Sequence, residues 1–546
     1  MAGVARSYRP VDRDQAFLLP PDMREWLSDD HLVWLVLEIV AQLDRSALHA
    51  RHPRAGAGRA AYDPDMLLAL LIYAYCQGVR SSRQIEQRCL TDVAFRVLCA
   101  QDVPDHTTIA RFRVDHQEVF AGLFTQVLQV AATAGLARFG TVAIDGTKIA
   151  ANASIDANRH RDWLVGEVEA LLRDAAQVDT AEDAAHVEDD PDREGGGGQR
   201  MPPSLRDRSG RVERLRAALA EINAREHAAQ QARQQRQTSA EQRLERAQAG
   251  ESVVGRIPRG PHRLAEAQAH LARAVARQQA KLDRRAALIA AGRRPRGRPT
   301  VPVEQHPHVV RAQRAVDAAL AEQAALAEQQ PLPDTGRRPG RTSPKKAYRP
   351  GEAVANLSDP SSRLMPTRRG YLQGYNAQVA VTADQLIVAV QLGQSTNDQA
   401  AFVPMMHAAQ HAADQLHQHT GNSEHVIGTV LADAGYASDA NLAAPGPDRL
   451  IALSKGRDQA KTSRTSTVLD PIGPDATPRQ RMRHRLRTDD GARLYKRRGA
   501  TVEPGIGNLK KLLDRFSRRG LAAATSELHL AATAFNLRKI HRAAHC

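Results

Sequence analysis

Cysteine is scarce in this 546-residue chain, which holds only Cys76, Cys89, Cys99 and Cys546. None of their spacings fits a zinc site or the disulfide framework of a secreted domain. The first three read as buried thiols of a helical region, in keeping with a reducing cytoplasm. Long apolar runs are missing too: no stretch of eighteen apolar residues occurs, and no apolar segment follows the opening Met-Ala-Gly-Val-Ala-Arg. Both absences argue against membrane insertion and secretion, so a cytoplasmic protein without a membrane partner is expected. Histidines are numerous but scattered, and no His-x-Glu-x-x-His spacing appears, so none is assigned to a metal. Aromatic residues vanish over a long middle stretch, with no Phe, Trp or Tyr between Leu164 and Ala347. Ala, Gln, Arg and Glu dominate there, a composition that cannot supply the mixed core of a catalytic domain.

What the chain has is length and positive charge. Its length exceeds what one hydrophobic core usually serves, so several domains are expected. Lys and Arg number 76 against 61 Asp and Glu, a balance that favours a polyanionic partner, with nucleic acid first among the candidates.

Helical signals come first. The run from His31 to Val40 is apolar enough for a buried helix, with Ser28 or Asp29 placed to cap it. A second helix is predicted from Pro64 to Gln77, where Met66, Leu67, Leu70, Leu71, Tyr73 and Ala74 share a broad face and Gly78 supplies a stop. Ser81-Ser82-Arg83-Gln84 has the form of a capping box opening a short helix through Arg88. Pro104 to Arg113 reads as another capped helix, with Arg111 and Arg113 facing outward to meet DNA. Together these make residues 1–135 a helix-turn-helix-like DNA-binding domain.

Composition changes at Gly140. Thr141-Val142-Ala143-Ile144 predicts a short strand ending in Asp145-Gly146, and residues 136–158 are assigned as the first part of a catalytic domain. The aromatic-free stretch, 159–346, is then a helical insert. Within it Val212, Leu215, Leu219 and Ile222 keep helical spacing, and Leu264, Leu271, Val275 and Leu282 step by seven, four and seven, as narrow seams between paired helices do. Asp179 to Glu194 carries eight acidic residues against one Arg, followed by Gly195 to Gly198, and reads as a solvated linker. Arg293 to Pro302 and Pro331 to Pro344 read as exposed connectors.

Residues 347–546 are assigned to the remainder of the catalytic domain. Tyr375 to Val381 and Leu386 to Val390 predict a hairpin turning at Thr382 to Gln385, and Asn397-Asp398 opens a helix through about His417. Val426 to Ala432 predicts a strand ending at Asp433, and Leu450 to Leu453 one more. With the insert set aside, strands and helices alternate as a mixed α/β sheet requires.

Asp145 and Asp433 thus stand at equivalent places, each at the end of a short apolar strand, where ligands of open α/β sheets collect. Two-metal phosphoryl transfer needs acidic oxygens to hold two Mg2+ (or Mn2+) ions, one activating the attacking oxygen and one stabilising the leaving oxygen. Each acid also has a plainer explanation. Asp145 before Gly146 and Asp433 before Ala434-Gly435 suit turns, and Glu503 before Pro504 suits the start of a helix.

Their surroundings add a resemblance. Tyr495 to Lys510 resembles the Tyr-Arg-Glu-Lys signature of bacterial insertion-sequence transposases, with Tyr495, Arg498, Glu503 and Lys510 spaced by three, five and seven. Val142 to Ile149 with Ala151 to Ser154 resembles the first-aspartate block of that group, and Leu431 to Tyr436 its second. Asn356 to Pro360 and Gln373 to Gln378 resemble intervening blocks, and Tyr62 to Leu68 with Pro104 to Phe112 its N-terminal helical domain. The resemblance implies a ribonuclease-H-like catalytic fold, with Asp145, Asp433 and Glu503 as catalytic residues and metal ligands. It also implies action on double-stranded DNA, the inverted repeats of an element and its target, by a homo-oligomer. One departure stands out: where relatives carry Val-Phe after the Glu-Pro, this chain has Gly505-Ile506, without the aromatic anchor.

From Arg481 to Arg519 there are thirteen Arg or Lys against four acids. Because the run encloses Glu503, its basic residues are expected to position DNA phosphates, with Tyr495, Arg498 and Lys510 foremost. A metal-dependent nuclease that cuts without joining, and an inactive relic that only binds DNA, remain rival readings.

Overall fold

The computed structural model describes residues 11–14, 22–51, 60–170, 173, 203–251, 253, 257, 260–293, 300–328, 353–368, 370–454, 473 and 476–545. The acidic and glycine linker at 179–198, the connector at 331–344, residues 294–299 and Cys546 lie outside them. The chain divides into two compact units, Met1–Glu221 with Val354–Cys546, and Ile222–Ala353.

The first unit opens with helices α1 (Leu32–Gln42), α2 (Ser46–His49), α3 (Pro64–Cys76), α4 (Ser82–Thr91), α5 (Val93–Leu98), α6 (His106–Asp115) and α7 (Phe120–Thr133). The best defined is α3: Asp63 accepts from the amide of Asp65, Pro64 fills the first turn, and Gly78 follows with φ of +72°. At α1 the cap is neither Ser28 nor Asp29. His31 caps it, its Nδ1 accepting from the amide of Val33 at 3.2 Å. Nor does the side chain of Ser81 cap α4, which runs a turn beyond Arg88 to Thr91. Cys76, Cys89 and Cys99 are buried free thiols.

A six-stranded sheet forms the centre. Its strands are β1 (Thr141–Ala150), β4 (Arg363–Thr367), β5 (Gly370–Thr382), β6 (Ile387–Gly393), β7 (Thr429–Ala432) and β8 (Arg449–Ile451), in the order β4-β5-β1-β7-β8 with β6 also pairing β5. Pairings on the β5 side are antiparallel, while β1 with β7 and β7 with β8 run parallel. A separate two-stranded ladder joins β2 (Asn158–His160) and β3 (Val354–Asn356).

Asp145 does not end its strand. The ladder to β5 continues from Val142 to Ala150, so β1 carries on through Asp145 and Gly146. The hairpin of β5 and β6 is longer than the alternation predicts, and Val426 to Gly428 stay outside β7. After β6, a single turn at Gln399–Ala401 leads into α11 (Phe402–Thr420).

Towards the end run α13 (Pro478–Arg485), α14 (Asp489–Leu512) and α15 (Leu521–Ala544), after the short α12 (Asp439–Ala443). The helix bearing Glu503 does not begin at Pro504 as its sequence suggests. Thr488 caps it, Asp489 and Asp490 fill its first turn, and Pro504 lies inside. An interior proline costs about 3 kcal/mol through its lost amide bond, which packing must offset. Val502, Leu509 and Leu512 of the helix, with Leu513 and Phe516 beyond it, are all buried. Gly505 is set close to the sheet. A Cβ there would stand 3.2 Å from Cγ2 of Val381 on β5, so glycine lets the helix lie directly on the sheet, with Ile506 packed beside the core.

Buried through its middle from Ser526 to Leu537, apart from half-buried His529, α15 packs on α3, α7 and β6, joining the N-terminal helices and the sheet in one core. Tyr75 donates to Glu527 Oε1 at 3.2 Å, and Arg538 to the carbonyl of Cys76 at 3.1 Å. Among the described residues no helix is long and apolar enough to cross a membrane.

The stretch between β2 and β3 holds α8 (Pro203–Gln248), α9 (Arg263–Ala290) and α10 (Pro307–Glu328). Leu215, Ala218 and Ile222 form the buried stripe of α8. In the second unit α9 pairs with α10 around Ala267, Val309, Val316 and Ala319. Of the second seam read from the sequence, Leu264, Leu271 and Leu282 are half-buried and Val275 is exposed.

Candidate active site

The parallel ladder of β1 and β7 ends at the pair Ala143 and Leu431. Asp145 and Asp433 each stand two residues beyond it, Asp145 still within β1 and Asp433 just past the end of β7, near enough for their charges to act on one another. Asp145 Oδ1 accepts from the amide of Gly146 at 2.9 Å, and Oδ2 from a guanidinium nitrogen of Arg498 at 2.7 Å. Asp433 turns the chain away from β7, its Oδ1 accepting from the amide of Gly435 at 2.8 Å.

Burial pushes the Asp145 carboxyl up to about 6, aided by the negative charges of Asp433 and Asp398 and opposed by Arg498 and the Gly146 amide. The hydroxyl of Tyr436 is likewise held far above its ordinary value by burial and then by Asp398, Asp145 and Asp433. On α14, one turn before Arg498, Tyr495 is half-buried and also raised by burial, with Asp433 and Asp145 adding to the effect and Arg498 opposing it. Arg498 thus contacts Asp145 directly, and Asp433 and Tyr495 lie within range of the same charges.

Glu503 stands apart. It is exposed, and its Oε1 lies back along α14, 3.3 Å from where Gly499 would carry a Cβ. Five residues separate Arg498 from Glu503, so they project about 140° apart around the helix. Glu527 and Asp514, the other nearby acids of the C-terminal region, are engaged elsewhere. Glu527 is wholly buried, accepting from Ser517 and Arg518, and Asp514 pairs with Arg80. Lys510 is exposed, about 18 Å along α14 from Arg498. Among the described residues no three His, Cys, Asp or Glu side chains come close enough to hold a metal ion. Asp145 and Asp433 nonetheless fit one in chemistry: they are hard oxygen donors in a negative, partly buried site, and Arg498 stands on Asp145 as a cation.

Sequence reasoning missed Asp398. Its Oδ1 accepts from Nδ2 of Asn376 at 2.7 Å and Nε2 of Gln378 at 2.8 Å. The sequence offers Asp398 only as part of a helix opening, but its side chain makes no cap bond there. Asn397 takes that duty, accepting from the amide of Gln399.

The two N-terminal arginines part company. Arg111 on α6 is exposed, but Arg113 is buried, donating to the carbonyl of Arg80 at 2.8 Å and to the hydroxyl of Ser82. Two residues apart on a helix, they point about 200° from one another, so both cannot face outward. Asp105 caps α6, and hydrogen bonds from Thr107 and Thr108 hold its carboxyl well below the usual carboxylate range.

Compared with known protein families, residues 348–537 match the family described as Transposase DDE domain, and residues 21–115 the one described as Transposase domain (DUF772). Asp145 falls between the two matched segments. No curated protein and no solved structure matches the chain.

Proposed function

From the premise that the chain carries a DDE transposase domain, of the class that transfers phosphoryl groups, behind an N-terminal transposase domain, we propose a bacterial insertion-sequence enzyme. It works in the cytoplasm, recognises the terminal inverted repeats of its element, cuts DNA and joins the freed 3′ hydroxyl to target DNA. Residues 1–135 act as the DNA-recognition domain, 136–158 with 347–546 as a ribonuclease-H-like catalytic domain, and 159–346 as a helical insert that contributes no catalytic residue. The assignment of the sheet is supported by its central β1, flanked by an antiparallel neighbour and two parallel strands.

Asp145, Asp433 and Glu503 are the residues that would hold two Mg2+ or Mn2+ ions. When bound, these ions supply the activated attacking oxygen and stabilise the leaving oxygen. The chain's own part is to hold the carboxylates near one another, keep the site partly dry and place the DNA backbone. Arg498 neutralises Asp145 in the metal-free protein and turns to a phosphate when DNA arrives. Tyr495 lines the same wall, Lys510 and Arg111 meet phosphates further out, and Glu503, on another face of α14, would join the aspartates only through a shift of that helix. A homo-oligomer on the paired ends would bring the two cuts together.

The observation that carries this reading is that Asp145 and Asp433 both lie two residues past the paired stretch of β1 and β7, with the Arg498 guanidinium on Asp145 Oδ2. The test is a strand-transfer assay on the DNA that flanks this gene, with Asp145→Asn and Asp433→Asn as controls. Joined products from the parent and none from the variants, with DNA binding kept, support it. Cutting without joining would favour the nuclease, and binding alone the relic.

A further inference from the structure

Asp398 has no part in the triad, yet its carboxylate borders Gly146, next to Asp145, and Gly435, two residues past Asp433. Its amide partners Asn376 and Gln378 are two residues apart on β5, hence on one face of the sheet, and both are buried. Gln378 Oε1 accepts in turn from the hydroxyl of Tyr436, three residues beyond Asp433. A polar chain therefore runs from Asp398 through Gln378 of β5 to Tyr436, on the turn that presents Asp433.

Two glycines make room for it. A Cβ on Gly146, the neighbour of Asp145, would stand 2.6 Å from Asp398 Oδ1 and 2.6 Å from Gln378 Nε2, closer than any real contact. A Cβ on Gly435 would stand 3.6 Å from Asp398 Oδ2 and 3.0 Å from Asp433 Oδ1, so both oxygens border one point. Oδ1 is thus held by two donors, while Oδ2 faces the side of Asp433. Three carboxylates against the single guanidinium of Arg498 leave a negative excess that a folded core does not need and a divalent cation does.

We propose that Asp398 is a positioning residue of the metal centre, setting the spacing of Asp145 and Asp433 and supplying a further negative charge behind them. This rests on the metal-binding reading given above. Partners behind the direct ligands of a metal typically change its affinity 10–100-fold when replaced.

The experiment measures Mn2+ binding to the full chain by electron paramagnetic resonance, beside far-ultraviolet circular dichroism and binding to flanking DNA. Asp398→Asn keeps the shape but removes the charge, and is expected to weaken Mn2+ binding about 10–100-fold with the fold and DNA binding kept. Gly146→Ala, which displaces Asp398 without changing it, should weaken Mn2+ binding in the same direction and serves as the readout if Asp398→Asn does not fold. Asp145→Asn runs in parallel. If it loses Mn2+ while Asp398→Asn and Gly146→Ala bind as the parent does, the inference on Asp398 is overturned and the metal reading stands. If Asp145→Asn also binds Mn2+ like the parent, both fall.

Discussion

Replacing Asp145 with asparagine should stabilise the metal-free protein and remove its stabilisation by Mg2+. The Asp145 carboxyl is pushed up to about 6 by burial and by Asp433 and Asp398, against an ordinary value of 3.8. A folded value above the unfolded one means that the folded state holds the proton more tightly. Asp145 therefore favours folding fully below about pH 4, and that contribution is lost as pH rises towards and through about 6. At about pH 7 the difference amounts to about 3 kcal/mol, an upper figure because the side chain keeps 21% of its exposure. The loss of the Arg498 partner is already within that balance, since Arg498 opposes the shift. Asparagine carries no charge to desolvate, so in a chelator Asp145→Asn should resist urea better than the parent at about pH 7 and about equally at about pH 4. With saturating Mg2+ the parent should gain stability by mass action and the variant should not. The reasoning is refuted if the variant is less stable than the parent at about pH 7 without metal, or if Mg2+ stabilises both alike.

Other perturbations separate structural from DNA-facing groups. Arg113→Ala leaves the half-buried carbonyl of Arg80 without its donor and should cost about 1–3 kcal/mol, read by thermal melting, with DNA affinity of the folded fraction unchanged. Arg111→Ala should leave melting alone and lower the slope of log affinity against log salt by about 0.9, measured by fluorescence anisotropy. Gly505→Val drives a branched side chain into Val381 and should cost about 1–3 kcal/mol; a melting temperature equal to the parent's would show that α14 has room to lift. Deleting residues 1–135 uncovers the face of α15 that packs on α3 and α7, so the remaining chain should yield no cooperative melt.

Local signals made parts of this fold legible. For α3 the cap at Asp63, the proline after it and Gly78 all act within the helix and its ends, so sequence and structure agree. The length of β1 is not local, since pairing with β5 more than two hundred residues away carries it past Asp145. Pro504 gave a false start for α14 because proline suits a first turn, while the cap at Thr488 and the close seat of Gly505 on Val381 decided the matter. Periodicity alone could have separated Arg111 from Arg113. Asp398 was hidden because its amide partners lie about twenty residues earlier on another element, a juxtaposition that no spacing announces.

The central claim is that Asp145 and Asp433 anchor a two-metal centre. Crystals soaked in Mn2+ and measured for anomalous scattering test it most directly. The account predicts two peaks about 3.5–4 Å apart between the carboxylates of Asp145 and Asp433, with Arg498 released from Asp145 and α14 shifted to bring Glu503 in. Peaks elsewhere, or an undisturbed Arg498–Asp145 pair with no Mn2+ beside it, would contradict it.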